Sequence, residues 1–362
     1  MSDFFRDLVK AIKDEDTSIA ADGNGSAEFS GFIDTGSYIL NAALSGSLYG
    51  GVPDNKVTAF AGESATGKTF FVMGVVKSFI DSNPTGGVVY YDTEAAVTKQ
   101  MMEERGIDTT RVIIAEPDTI QKFKTHALKM IDAYEKQPED KRPPMMFVLD
   151  SLGMLSTSKE MEDSLEGKDT RDMTKAQIIK AAFRVLTLKL AKVKVPMLVT
   201  NHVYELVGSY VPTKELGGGT GLKYAASTIA MLTKKKEKDS TGEIVGNIIK
   251  VRMYKSRLSK EHSTAEVLLT YDKGLDRYYG LIELAEKYKI FNKVSTRYEL
   301  PDGSKVFGKN ILQDPGKYFT EEVMKRLEEA AKMEFSYGAG RPNYQIDNEE
   351  LETTTSGGGD PD

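Results

Sequence analysis

In the segment FFRDLVKAI, Phe5, Leu8, Val9 and Ile12 recur at helical spacing, which predicts a short amphipathic helix over Phe4–Ile12. A helix that short is marginal alone, so it needs either its own core or a neighbouring subunit to pack on. The stretch DEDTSIAADGNGS behind it has no apolar period and reads as a linker. From about Phe32 to Tyr271, short apolar runs alternate with longer helical periods. The runs predict strands at Lys56–Ala61, Gly87–Asp92, Arg111–Ala115, Met145–Asp150, Pro196–Asn201, Thr228–Thr233, Asn247–Tyr254 and Ala265–Tyr271. The periods predict helices at Thr69–Asp81, Lys99–Arg105, Ile120–Lys136 and Arg171–Lys192. Such alternation specifies an α/β fold with a mostly parallel sheet and helices on both faces. The last three strands follow one another without helices, so the sheet should end in antiparallel strands.

The same pattern divides the chain. Residues 1–31 form a helical arm and linker, and 32–278 form the α/β core. Residues 279–336 return to helix, with short polar strands around Pro301-Asp302-Gly303, and read as a small C-terminal α+β domain. Residues 337–362 turn to Gly, Asn, Thr and acids and read as a disordered tail. No internal repeat is visible. Two connections, 151–170 and 202–221, run for about twenty residues each without a clear period, and loops that long in a compact domain are usually functional. Both follow the C-terminal ends of predicted strands, the edge where open α/β sheets bind ligands.

Composition narrows the chemistry. Apolar residues make up 40% of the chain and charged residues 28%, a globular balance. No stretch approaches the ~18 consecutive apolar residues of a membrane span. The N-terminus MSDFFRDLVKAIKDED has early acids and no apolar signal region, so a cytoplasmic location is expected. With no cysteine, a disulfide scaffold, a thiolate zinc site and a cysteine nucleophile are excluded, and three histidines argue against a multi-histidine metal site. Net charge is −6, and the tail from Pro342 to Asp362 supplies all of it: Asp347, Glu349, Glu350, Glu352, Asp360 and Asp362, with no Lys or Arg. Residues 1–341 therefore balance, and a local basic groove for nucleic acid remains open.

The strongest motif is Gly62-Glu63-Ser64-Ala65-Thr66-Gly67-Lys68-Thr69, a full G-x-x-x-x-G-K-[ST] match between a predicted strand and a predicted helix. Its glycines let backbone N–H groups wrap phosphate oxygens, and the helix N-terminus adds a positive dipole. Lys68 would reach the β/γ-phosphates and the Thr69 hydroxyl would bind Mg²⁺. The apolar strand MMFVLD ends in Asp150, which suits a Walker-B carboxylate holding Mg²⁺. The strand VVYYD delivers Asp92 and Glu94 to the same edge, where a carboxylate can polarise the water that attacks a γ-phosphate. Val199-Thr200-Asn201-His202 ends another strand there, which makes His202 a candidate γ-phosphate sensor. Lys250, Arg252, Lys255, Arg257 and Lys260 alternate with Val251, Met253 and Leu258, which predicts one cationic sheet face of the kind a subunit boundary would use. Lys234, Lys235, Lys236 and Lys238 cluster at a hairpin and read as a solvated face.

Taken together, the chain resembles the RecA-type recombinases, in particular the UvsX-like enzymes of T-even-type bacteriophages. The resemblance runs from about Phe4 to Leu327. It rests on Thr35-Gly36-Ser37 with Leu40-Asn41-Ala43-Leu44, GESATGKT, YYDTEAAV and Arg105-Gly106-Ile107-Asp108. It continues through Glu116-Pro117-Asp118-Thr119, FVLDSLGML, Thr200-Asn201-His202, GGGTGLKY from Gly217 and Tyr254-Lys255-Ser256-Arg257.

That resemblance implies a RecA-like P-loop ATPase core using ATP and Mg²⁺, with Phe70 beside the P-loop lining the nucleotide site. Glu94 takes the place of the family's catalytic glutamate and His202 that of its γ-phosphate sensor. Met101 stands where relatives carry a Tyr that stacks on adenine. The two long connections match the DNA-binding loops, with Lys168, Arg171 and Lys175 as candidate phosphate contacts in the first. Gly218 and Gly219 belong to the second, and Val207 falls near the aliphatic residue that wedges between base triplets. Lys255 and Arg257 match a cationic pair that reaches across a filament interface to a neighbour's ATP, and the Phe4–Ile12 helix matches an arm that docks on an adjacent subunit. The implied partners are single-stranded DNA, homologous duplex DNA, further copies of the chain in a helical filament, a single-strand-binding protein and a loading mediator. A RecA-fold hexameric helicase and a non-catalytic recombination mediator are the alternatives. The intact Lys68, Thr69, Glu94 and Asp150 argue against the second, and the lack of a long N-terminal helical domain against the first.

Overall fold

The computed structural model describes residues 3–12, 17–22, 28–168, 172–205, 214–219, 221–238, 244–270 and 274–338. In chain order, helix α1 (Asp3–Ile12) is followed by β1 (Phe32–Ile33), α2 (Tyr38–Ser45), β2 (Val52–Pro53), β3 (Val57–Gly62) and α3 (Lys68–Ser82). Next come β4 (Gly87–Asp92), α4 (Lys99–Glu103), β5 (Val112–Ala115), α5 (Ile120–Glu135), β6 (Met145–Asp150), α6 (Ser158–Leu165) and α7 (Lys175–Lys192). Then follow β7 (Met197–Glu205), β8 (Lys214–Leu216), α8 (Gly221–Ala225), β9 (Thr228–Lys238), β10 (Ile244–Ser256), β11 (Thr264–Thr270) and β12 (Gly274–Leu275). The C-terminal elements are α9 (Leu281–Lys287), β13 (Asn292–Val294), β14 (Arg297–Glu299), β15 (Lys305–Phe307), α10 (Gly308–Gln313), α11 (Pro315–Tyr318) and α12 (Glu321–Phe335).

Among the described residues a ten-stranded sheet runs β12-β11-β10-β9-β3-β7-β6-β4-β5, with β8 pairing β7 off that path. Strands β9, β3, β7, β6, β4 and β5 pair in parallel, and β9 through β12 pair antiparallel, as the missing helices require. Central strands covered on both faces must be apolar throughout. Along β6, Met146 and Val148 enter the cluster containing Phe60, Phe71 and Tyr90, while Phe147 and Leu149 enter the opposite cluster with Tyr91, Phe123 and Phe183. All four β6 side chains are fully buried. Burial at about 1.5–3 kcal/mol for each fixes β6 firmly in register and so fixes Asp150 at its end. Leu281, Phe291, Leu327 and Phe335 from the C-terminal elements pack into the first cluster, against the same face as α2 and α3.

Strand pairing brings the candidate residues to one edge. Gly62 lies opposite His202 on β7 and Leu232 on β9, and Asp92 lies opposite Asp150.

Several expected boundaries move. β7 continues through His202 to Glu205, so His202 sits within a strand and not at the start of a loop. β9 continues through the polar residues 234–238 and β10 pairs with it from Ile244, so the ladder runs past the expected ends of both strands. Of the connection 151–170, the described residues 151–168 hold a 3₁₀ turn at Leu152–Met154 and α6. A capping box in which Thr157 and Glu160 bond each other's backbone starts α6. α6 buries none of its residues, so no apolar stripe announced it. The helix expected from Arg171 begins at Lys175, and Arg171 itself lies outside the described residues. α2 was not anticipated, because its residues are apolar on nearly every side.

Candidate nucleotide and nucleic-acid site

The P-loop forms at the top of β3. Gly67 adopts φ 88° and Ala65 φ 56°, the left-handed turns that aim successive N–H groups inward. A Cβ at Gly62 would lie 2.6 Å from Thr66 Oγ1 and 2.8 Å from the Leu232 carbonyl, so only glycine fits. Lys68 Nζ donates to the carbonyls of Gly62 at 3.1 Å and Glu63 at 2.9 Å, which holds the loop around its own lysine. Burial lowers the Lys68 pKa below the ordinary lysine range, partly opposed by the charges of Glu94 and Asp150. Glu63, Ser64 and Ala65 are exposed, Thr69 and Phe70 half-buried. Thr69 opens α3 beside Lys68.

The two carboxylates of β4 separate by geometry. Buried Asp92 accepts from the backbone N–H of Glu94 at 3.1 Å and of Val97 at 2.9 Å, which makes it the cap of the turn that carries Glu94. Glu94 Oε1 accepts from the Ser151 hydroxyl at 2.6 Å and lies 3.1 Å from His202 Nε2. Desolvation pulls the Glu94 pKa upward, but the Ser151 and His202 hydrogen bonds, the His202 charge and Lys68 outweigh it and leave the carboxyl below its usual range. Asp150 is 4% exposed and accepts from Tyr90 Oη at 2.7 Å and from Thr200 Oγ1. The Asp150–Ser151 peptide is cis. A reciprocal pair of hydrogen bonds between Thr93 and Ser151 staples the ends of β4 and β6.

Phe70 on α3 and Met101 on α4 are the residues expected beside the base. Met101 is half-buried against the first apolar cluster. The Arg105 guanidinium stacks 4.4 Å from the Phe70 ring centroid and donates to the Met101 carbonyl at 2.7 Å.

Oxygen donors suit a hard cation. Thr69 and Asp150 supply a hydroxyl and a carboxylate. Among the described residues no group of three or more His, Asp or Glu could hold a metal ion. That set fits Mg²⁺, which is commonly held by one or two protein oxygens, substrate phosphates and water.

His202 connects this edge to the second long connection. Its backbone carbonyl accepts from Gly217 N–H at 2.8 Å, and Asn201 Nδ2 donates to the Gly217 carbonyl at 2.9 Å. Gly218 and Gly219 have φ of 77° and 75°, and a Cβ on either would press within 3 Å of Ile179 or Ala176 on α7. A 450 Å³ cavity lies between the two connections, lined by Gly153, Lys175, Tyr204, Gly218 and Gly219 among others. Lys175 pairs with Glu160 at 3.2 Å, and Lys168 with Glu166. Val207 lies outside the described residues.

Lys250, Arg252 and Lys255 share one face of β10, as expected, but not by simple alternation: a register shift between Met253 and Lys255 adds a residue, so the three lie opposite Thr233, Met231 and Ile229 on β9. Lys255 Nζ donates to the carbonyls of Lys223 at 2.6 Å and Ala226 at 2.7 Å, at the end of α8. Burial, then neighbouring Arg257, lowers its pKa below the usual lysine range. Arg257 is exposed and lines a 710 Å³ groove with Phe29, Phe183, Leu188, Tyr224 and Leu258. Lys260 Nζ instead donates to the Met333 carbonyl. Ser256 pairs with Thr228, and Thr228 with Thr58, whereas the P-loop begins at Gly62. At roughly 3.3 Å per residue, Lys255 and Arg257 sit near the opposite end of the strands from their own P-loop. Lys234, Lys235 and Lys236 are exposed, as the solvated reading expects, and the Lys234 ammonium in addition donates to the Ala65 carbonyl of the P-loop at 2.8 Å. Tyr90, Ser151 and Thr200 thus enter the site from motifs that gave them no role of their own, and Lys234 from outside those motifs.

α1 leaves Phe4, Phe5, Leu8 and Ile12 from 44% to 61% exposed, so its apolar stripe does not pack on the chain's own core. No helix among the described residues is long and apolar enough to cross a membrane.

Comparison with known proteins converges. The RecA N-terminal domain family matches residues 12–276. A recombination and repair protein of Enterobacteria phage T4 is 31% identical over 247 residues, which are 68% of this chain and 61% of that protein. Protein RecA of Malacoplasma penetrans is 26% identical over 282 residues, covering 77% of this chain and 81% of the relative. The crystal structure of the RadB recombinase has a TM-score of 0.50 at 18% identity and covers 68% of this chain and 99% of its own, a likeness of fold.

Proposed function

The chain belongs to the RecA family, and from that premise we propose that it is an ATP-dependent recombinase. In this reading it assembles on single-stranded DNA as a helical filament and pairs and exchanges strands with homologous duplex DNA. The observation that carries it is the convergence of Lys68, Thr69, Glu94, Asp150 and His202 on one sheet edge while Lys255 and Arg257 occupy the other. One chain then offers both halves of a nucleotide site that closes only between subunits.

Each residue has a task in this proposal. The P-loop N–H groups and Lys68 hold the phosphates of ATP. Thr69 and Asp150 hold Mg²⁺, which when bound offsets charge on the β- and γ-phosphates. Glu94 orients and polarises the attacking water. Met101, Phe70 and Arg105 border the base. His202, bonded to Glu94 on one side and Gly217 on the other, ties the γ-phosphate region to the second DNA loop. Lys168, Arg171, Lys175, Val207, Gly218 and Gly219 lie in or beside the two connections that follow β6 and β7, with Lys175 opening α7. DNA binding without sequence preference rests on phosphate contacts, with homology read by base pairing. Residues 1–31 serve as the docking arm, 32–278 as the ATPase core and 279–336 as a C-terminal domain, with 337–362 as an acidic tail. A single-strand-binding protein and a loading mediator are the further partners, and the host cytoplasm is the site of action.

Mixing experiments test the shared site. Lys68→Ala and the double variant Lys255→Ala/Arg257→Ala should each lack DNA-stimulated ATPase activity. Mixed together on single-stranded DNA, they should recover part of it, because some interfaces pair an intact P-loop with intact cations. Absence of recovery in demonstrably co-assembled filaments would confine the cations to their own subunit. Since Lys255 also holds α8, Arg257→Ala alone is the cleaner partner in a second mix. Electron microscopy of the wild type with an ATP analogue separates continuous helices from the closed rings of a helicase.

The acidic tail gives a further expectation. Residues 342–362 carry six acids and no cation, so ending the chain after Arg341 should tighten single-stranded DNA binding severalfold at low salt. The gain should fade as salt screens the charge. A salt titration that leaves both proteins superimposed would assign the tail to a partner or to no role in DNA binding.

A further inference from the structure

Both carboxylate oxygens of Asp150 are already engaged by neutral hydroxyls of this chain. Tyr90 Oη donates to Oδ2 at 2.7 Å, and Thr200 Oγ1 donates to Oδ1. The donors come from β4 and β7, the strands on either side of β6. Tyr90 pairs with Val148, two residues before Asp150, so the phenol reaches its diagonal neighbour on the same face. The Tyr90 ring is fully buried in the first apolar cluster. Thr200 is also fully buried, and its branched side chain has little freedom at χ1.

Packing alone asks for no hydroxyl at residue 90, because phenylalanine fills the same space. The adjacent tyrosine makes the contrast within one strand. Tyr91 points into the other cluster, and its buried hydroxyl has no hydrogen-bond partner among the described residues. Of two neighbouring buried tyrosines, only one directs its hydroxyl at a carboxylate.

We infer that Tyr90 and Thr200 are positioning residues that clamp the Asp150 carboxylate in the orientation that serves nucleotide-bound Mg²⁺. The inference rests on the assignment of Asp150 to Mg²⁺ made above. The clamp takes no part in bond breaking. Its effect is on how much Mg²⁺ the site needs, since groups that orient a metal-side ligand govern affinity for the metal.

The test follows binding of a fluorescent, non-hydrolysable ATP analogue to the full-length protein across a Mg²⁺ titration, and separately in EDTA. Tyr90→Phe should raise the Mg²⁺ midpoint about tenfold while affinity in EDTA stays at the wild-type value. Thr200→Val should act in the same direction, Thr200→Ser should restore the wild-type midpoint, and Tyr91→Phe should leave it unchanged. Should Thr200→Val fail to fold, the near-isosteric Tyr90→Phe decides alone. A Tyr90→Phe midpoint equal to wild type overturns the clamp. Parallel losses with and without Mg²⁺ also overturn it, because they would mark a packing role. If wild-type binding itself ignores Mg²⁺, the assignment of Asp150 fails first, and the wild-type arm reports that outcome separately.

Discussion

Glu94→Gln should bind ATP almost as well as the wild type and hydrolyse it slower by roughly 10²–10⁴-fold, the usual contribution of a positioned general base. The amide keeps the shape of the side chain and its place at the end of β4, where Asp92 caps the turn through two backbone N–H groups. What it loses is the charge. The wild-type carboxyl is held below the ordinary glutamate range because the Ser151 and His202 hydrogen bonds outweigh desolvation, so it is ionised at neutral pH. A carboxylate in that state accepts a proton from water as the bond to phosphorus forms, an interaction worth most in the transition state. Analogue binding and single-turnover hydrolysis, measured on one preparation with single-stranded DNA, separate the two effects. An equal loss of affinity and rate would transfer Glu94 to a structural or Mg²⁺-side role.

Lys68→Ala should abolish DNA-stimulated turnover, a fall of roughly 10²–10³-fold or more, as expected when a preorganised charge at a transferring phosphoryl group is removed. The lysine also braces its own loop through the Gly62 and Glu63 carbonyls. The alanine variant therefore loses both the phosphate contact and the tie that holds the P-loop closed. Affinity for ATP should fall together with rate, in contrast to Glu94→Gln. Turnover at the wild-type rate would sink the P-loop assignment. Lys68→Arg is a useful companion, because it keeps the charge while the planar guanidinium cannot copy the compact ammonium.

The sequence by itself determined the strand–helix alternation and the site's polar ends. β4 and β6 form with the expected ends, because runs such as MMFVLD are apolar at every position and stop at an acid. The P-loop was legible for a similar reason: its glycines, lysine and threonine are contiguous, and the chemistry needs them contiguous. Tertiary structure decided what depends on partners distant in the chain. That Asp92 caps the turn while Glu94 meets Ser151 and His202 follows from the turn after β4, and the two acids read alike in sequence. The link from Glu94 to Ser151 and His202 spans three strands. The extra length of β9 is entirely charged and α6 buries none of its residues, so periodicity could not reveal them. The register shift before Lys255 offsets its odd spacing from Arg252 and keeps that lysine on the face of Lys250 and Arg252, where it meets carbonyls at the end of α8 that no local pattern predicts. Local hydrophobic pattern encodes which face of each element is buried. Hydrogen bonds between elements form only once the sheet order has brought those elements side by side.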